Sequence, residues 1–251
     1  MKRSRITSGA AAALCLAGAS QVFASPLTDP IFNVGVIGSH TESKLTVDGD
    51  SDKDRLNRGG LYANYGNKLT GLDGLIYQVG VEGQYRDKDD VKHKRARFDL
   101  DVGLRGALSA NNYVDFLVGG GYDWGRNEAK DVGAFDTDVR LTSKSPFAKA
   151  AVGYNYLTPD YTVRLEAGAR YSIDAEVRVK VDGESRDVDL KDKVNPYAEL
   201  TVLWNKGVAN LPISTTLYYN QTNYKLDGDS PLANVSKLKE QEVGVRLGMA
   251  F

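Results

Sequence analysis

The chain has 251 residues, 41% of them hydrophobic and 26% charged, with one Cys and a formal net charge of −1. That hydrophobic share excludes a wholly disordered chain, and the balanced charge supplies no basic field for nucleic-acid binding, so no nucleic-acid partner is expected. Beyond the N-terminus no apolar run reaches the roughly 20 residues of a membrane helix.

Residues 1–24 read as an export signal. Lys2, Arg3 and Arg5 form a basic start, Gly9 to Gly18 is small and apolar, and Val22-Phe23-Ala24 gives a small-x-small cleavage pattern. Ser25 is the expected mature start, leaving 25–251 as one domain. Cys15 lies within the signal and follows Leu14, where a lipoprotein signal carries Gly or Ala. The exported chain then enters an oxidising compartment without disulfides.

From Phe32 the pattern has period two. Phe32, Val34 and Val36 open it; Leu75, Tyr77, Val79, Val81 and Tyr85 follow, set against Gln78, Gly80, Glu82 and Gln84. Next, Phe98, Leu100, Val102 and Leu104 alternate with Arg97, Asp99, Asp101, Gly103 and Arg105. Val114, Phe116, Val118, Tyr122 and Trp124 oppose Asp115, Gly119, Gly121 and Asp123. Val163, Leu165, Ala167, Ala169 and Tyr171 oppose Arg164, Glu166, Gly168 and Arg170. The last segment sets Val243, Val245, Leu247, Met249 and Phe251 against Glu242, Gly244, Arg246 and Gly248. Such alternation gives each strand one apolar and one polar face. With weaker segments at 59–66, 147–157, 196–204 and 213–220, the count is about ten strands, eight being the alternative.

A soluble sandwich also alternates. Three features favour a transmembrane antiparallel up-and-down barrel. The strands, about 9–12 residues, match a tilted bilayer crossing. Full charges of both signs occupy the polar face at mid-strand. The connections alternate in length, long at 41–58, 86–95, 125–145, 173–193 and 221–239, short at 67–74, 109–112, 158–160 and 205–212, which is the outer-membrane pattern. An even strand number puts both termini in the periplasm. Many of the 14 Tyr fall at strand ends, where interfacial girdles form.

With its signal and its final strand Glu242–Phe251, the chain resembles the small bacterial outer-membrane β-barrel proteins of the OmpA-like and opacity-like class. The resemblance implies that Val243, Val245, Leu247, Met249 and the terminal Phe251 form the signal read by the barrel assembly machinery. It also implies contact with outer-membrane lipid and lipopolysaccharide. The periplasmic peptidoglycan-binding domain of larger members is expected to be missing.

The polar face predicts a lumen network of Glu82, Arg97, Asp99, Asp101, Arg105, Asp115, Lys149, Arg164, Glu166, Arg170, Glu199, Glu242 and Arg246. Cations and anions nearly balance, and unpaired buried charge is very costly, so a paired plug is expected over a diffusion pore. A narrow channel or small-solute transporter is the alternative. Glycines on the same face make room for long side chains.

Three loops share an acidic tip: Asp48-Gly49-Asp50, Asp182-Gly183-Glu184 and Asp227-Gly228-Asp229. Asp-Gly favours tight turns, so these are read as hairpin apices and as candidate contacts for an extracellular ligand. Val177, Val179 and Val181, alternating with Arg178 and Lys180, predict an extended hairpin too short to cross a bilayer. Asp48, Asp50 and Asp52 imitate the start of a calcium loop, but Lys53 and Gly59 replace the Gly and Glu it requires. No metal or cofactor is therefore expected.

Only two His are present, His40 and His93. Adjacent Ser39 and His40 point to opposite faces of a strand, which opposes a dyad. Outer-membrane proteases carry Asp-x-His and lipid A deacylases His-x-Ser; Gly38, Val91, Glu42 and Arg95 occupy the required places. A non-enzymatic protein with a structural or adhesive role is the expectation.

Overall fold

A lipid-spanning sheet must pair every backbone N–H and C=O within itself, and closing it removes the unpaired edge. The computed structural model describes residues 29–251 except 48–49, 73, 89–90, 133–136, 182–183, 208–210 and 226–235. The signal segment 1–24 and the tip residues Asp48, Gly49, Asp182, Gly183, Asp227, Gly228 and Asp229 lie outside the described residues.

Described strands are β1 (Ile31–Val47), β2 (Asp50–Gly66), β3 (Gly74–Lys88), β4 (Val91–Ala107), β5 (Asn112–Val132) and β6 (Thr137–Leu157). They continue as β7 (Tyr161–Ser172), β8 (Glu176–Val181), β9 (Glu184–Asp189), β10 (Val194–Trp204), β11 (Ile213–Lys225) and β12 (Ser236–Ala250). Ten of them close an antiparallel barrel, each paired with its sequence neighbours; β7 pairs with β10, and β1 with β12. The other two, β8 and β9, form a hairpin that pairs with β6 over Val139–Lys144, beyond the end of β7. Phe251 and Phe32 exchange backbone hydrogen bonds at 2.8 and 2.9 Å, so both ends of the described chain meet at the rim that carries the short turns.

The apolar set faces outward. Leu104 (64% exposed), Phe116 (65%) and Val118 (66%) form part of a continuous apolar band with Val81, Leu165, Leu217 and Val243. Tyr65, Tyr154, Tyr161 and Trp204 border it towards the short turns, while Tyr85, Tyr122 and Tyr171 border it towards the hairpins. In water such a surface would drive association; between two aromatic girdles it matches lipid.

Strand lengths correct the sequence reading. Segments 41–58, 86–95 and 125–145 were expected to be loops, yet the ladders run to Val47↔Asp50, Lys88↔Val91 and Val132↔Thr137. A 17-residue strand reaches about 56 Å at ~3.3 Å per residue, well past the hydrocarbon layer. Residues Ser51 to Arg55 are exposed on both faces, so no apolar alternation marks them. Paired hairpins outside lipid need no apolar face, and that is why they read as loops.

Candidate functional site in the barrel lumen

Inward positions hold the polar set, and their long side chains meet across the barrel as two ladders of ion pairs. The ladder nearer the short turns starts at Arg105, whose Nε donates to Asp115 at 2.7 Å. Asp115 also accepts from Arg164, which reaches Glu166 at 2.7 Å. Lys68 follows, 2.9 Å from Glu166 and 2.7 Å from Asp101. Lys149 lies 2.5 Å from Asp101 and 3.6 Å from Asp99. Four cations thus face four carboxylates. Asn155, fully buried, donates to Asp115 and accepts from Arg164, while the Tyr197 hydroxyl donates to Glu166 at 2.8 Å.

The second ladder lies nearer the hairpins. Glu199 accepts from Arg246 at 3.3 Å, and Arg246 pairs with Glu82 at 2.8 Å. Glu82 meets Arg97 at 3.4 Å, and Asp123 stands 2.6 Å from both Arg97 and Arg95. Arg95 reaches Glu242 at 2.5 Å, and Arg58 approaches the same carboxylate at 3.6 Å. Here too four cations face four anions. Ser39 and Gln84 extend the network, with Gln84 donating to Glu242 and the Tyr218 hydroxyl donating to the same carboxylate at 2.9 Å. Arg170 stands apart: its guanidinium lies 4.3 Å from the Tyr197 ring centre and donates to Asn220 at 2.8 Å.

Between the ladders lies a polar cavity of about 40 Å³, bounded by Lys68, Asp101 and Glu166 on one side and Glu82, Arg97 and Arg246 on the other. A water needs roughly 10–15 Å³ of such space, so the cavity takes one or a few waters. Glycine lets the side chains fit. A Cβ on Gly153 would stand 2.5 Å from the Arg164 guanidinium, and one on Gly244 would stand 2.4 Å from the Tyr218 ring.

All thirteen lumen residues named from the sequence face inward, Asp99 and Glu199 being partly exposed to the cavity. Sequence reasoning missed Arg58, Lys68, Arg95 and Asp123. Arg58 and Arg95 were assigned to loops that are ladder. Asp123 carried a readable signal, since it continues the polar alternation through Asp115, Gly119 and Gly121. Lys68 belongs to the turn after β2. That turn folds into the barrel mouth, held by Arg105, which donates to the carbonyls of Gly71 and, at 2.6 Å, Lys68. Leu69 then packs with Ile31, Leu203 and Ala250 to seal this end with apolar contacts.

On the outer wall, Val243, Val245 and Leu247 point to the lipid side, with Met249 half-buried and Phe251 at the rim. Asp50 begins β2 and Glu184 begins β9. Ser39 faces inward to Gln84, whereas His40 faces outward and meets Asn57 at 2.6 Å. His93 meets Asn127 at 2.8 Å.

No protein-family model and no curated protein matches the chain. Among solved structures it is similar to the outer membrane protease OmpT from Escherichia coli, with a TM-score of 0.52 and 11% identity over 91% of this chain and 99% of that one. It also matches the translocator domain of the autotransporter NalP from Neisseria meningitidis, with a TM-score of 0.40 and 12% identity over 96% and 93% of the two chains. Ail, the attachment invasion locus protein of Yersinia pestis, matches with a TM-score of 0.30 and 11% identity over 87% and 98%. The fold is that of a bacterial outer-membrane β-barrel.

Proposed function

We propose that this barrel resides in a bacterial outer membrane as a closed, non-enzymatic surface protein, with both termini periplasmic and its hairpins directed outward in a structural or adhesive role. One observation carries the closed-lumen reading. Lys68 enters the lumen from a turn and joins Asp101 to Glu166, so the ladder crosses the section instead of lining its wall. A conducting pore keeps its charges on the wall around open water; here opposite charges meet in mid-section. The non-enzymatic reading is supported by the state of the candidate groups. Asp123 and Glu242 are engaged by arginines, and both His rings meet side-chain amides.

Planar-bilayer recording of the purified full chain tests the closed lumen. The expected outcome is no steady conductance above the bare bilayer. Large, steady, ion-selective steps from the unmutated protein would overturn it and favour passage of small solutes. Adhesion is tested by binding of cells expressing the chain to host surfaces, against cells carrying a chain whose β8–β9 hairpin is replaced by a short turn.

A further inference from the structure

The outer wall beyond the aromatic girdle carries a feature that a closed lumen does not explain. Strands β5, β6, β8 and β9 form a four-stranded sheet there, and its register stacks three rungs on the face that continues from Tyr122 and Val118. Nearest the girdle, Trp124 pairs with Lys144. One rung out, roughly 7 Å further along the strands, Arg126 and Thr142 align with Arg178. The third rung sets Arg140 beside Lys180 and Ser185. These side chains enclose a cavity of about 340 Å³ whose lining holds five cations, two hydroxyls and Trp124, but no carboxylate.

Carboxylates on the same face hold the cations from outside the cavity. Glu128 lies 3.1 Å from Arg140, Glu176 pairs with Lys144, and Asp187 accepts two bonds from Arg178 at 2.6 and 2.9 Å. Arg126 rests over the Trp124 ring at 5.2 Å. Lys180 makes no ion pair among the described residues. The cavity's own lining is therefore positive, with Arg140, Lys144 and Arg178 already oriented by their carboxylates. Planar guanidinium groups and hydroxyl donors suit phosphate oxygens.

We infer that this cavity binds the phosphate groups of a lipid headgroup in the leaflet on the hairpin side. Depth selects the occupant. Trp and Tyr settle at the headgroup level, and the cations begin beside Trp124 and extend outward one to two rungs, where a phosphorylated glycolipid carries its charge. A soluble anion has no reason to be met at that height. The inference rests on the membrane-barrel reading but not on the closed lumen, so conductance would leave it standing.

The experiment uses the full chain, folded in detergent micelles, with Trp204→Phe making Trp124 the single indole. Micelles doped with a diphosphorylated glycolipid should quench or shift Trp124 emission saturably. The dephosphorylated glycolipid and excess inorganic phosphate should each bind far more weakly. Changing Lys144, Arg178 and Lys180 to Gln should weaken binding about a hundredfold, each surface cation contributing roughly a factor of five. Lys180→Arg should retain binding. Heat-modifiable migration on gels checks that each variant is folded. Equal binding of the dephosphorylated lipid, or unchanged binding by the folded triple variant, would overturn the site. Inorganic phosphate binding as tightly as the lipid would overturn the lipid assignment. A chain that forms no heat-modifiable species would instead overturn the membrane reading on which the site rests.

Discussion

The ammonium of Lys68 lies 2.7 Å from the carboxylate of Asp101, 33 positions away in the chain, and both side chains are nearly fully buried. Lys68 stands in a turn and Asp101 in the middle of β4. The contact exists because the turn after β2 folds back into the barrel mouth and places a cation where Asp101 and Glu166 would otherwise repel each other. A short connection thereby becomes part of the lumen.

Replacing Lys68 therefore exposes what it neutralises. Lys68→Met keeps most of the stem but leaves Asp101 to Lys149 alone and Glu166 to Arg164. Breaking one partner of a buried pair costs about 3–5 kcal/mol, and water entry at the mouth should reduce this to roughly 1–3 kcal/mol. The midpoint of urea unfolding, followed by heat-modifiable migration, should fall accordingly. Lys68→Ala, which also removes volume, should add a small leak in planar bilayers. Unchanged stability in both variants would deny the turn its place in the network.

Glycine at position 153 gives a second test with an internal control. A methyl group there meets the Arg164 guanidinium, which cannot swing aside freely because Asp115, Asn155 and Glu166 all hold it. Gly153→Ala should destabilise the barrel by about 1–3 kcal/mol, the usual scale for overpacking. Gly106, on the outer face, has nothing within 4 Å of an added Cβ. Gly106→Ala should leave the unfolding midpoint unchanged or slightly raised. Equal effects at the two sites would contradict the packing.

The sequence made the lipid-crossing part legible because lipid imposes a rule on every second residue. Leu100, Val102 and Leu104 must be apolar where they meet hydrocarbon, and Asp99, Asp101 and Arg105 must be polar where they meet one another. Outside the bilayer that rule lapses. Lys53, Asp54 and Arg55 form ladder with water on both faces, so there the hairpins were announced only by the Asp-Gly tips and by the valines of β8. Pairing partners were not legible at all. Which carboxylate Arg164 meets depends on barrel closure, and Lys68 depends on a turn whose fold leaves no periodic trace.

Orientation follows from the two rims. Protease added to intact cells should cut only within the hairpin segments 41–58, 86–95, 125–145, 173–193 or 221–239. Because much of each is paired in strands, cleavage should be slower than in an unstructured loop of equal length. Mass spectrometry of the fragments locates the cuts. Cleavage at 109–112 in intact cells would place the short turns outside and invert the proposed topology.

The last prediction concerns pH at the hairpin end. His93 lies beyond the Tyr85 girdle, with Asn127 at its ring and with Arg58, Arg86 and Asp54 as its charged neighbours. Burial holds its imidazole below the ordinary 6.5, Arg58 and Arg86 push the same way, and the Asn127 hydrogen bond and Asp54 oppose them. A depressed histidine favours the neutral ring in the folded state, so the unfolded state binds more protons between the two values. Its stabilising contribution is then present above 6.5 and lost as pH falls through the folded value. Two-dimensional NMR of the His93 imidazole should show a midpoint below the ordinary 6.5. His93→Gln, which keeps an amide-bonding side chain without the titration, should remove this part of the acid sensitivity of the β3–β4 hairpin. A His93 midpoint above 6.5 would mean that Asp54, rather than burial and the two arginines, controls the site.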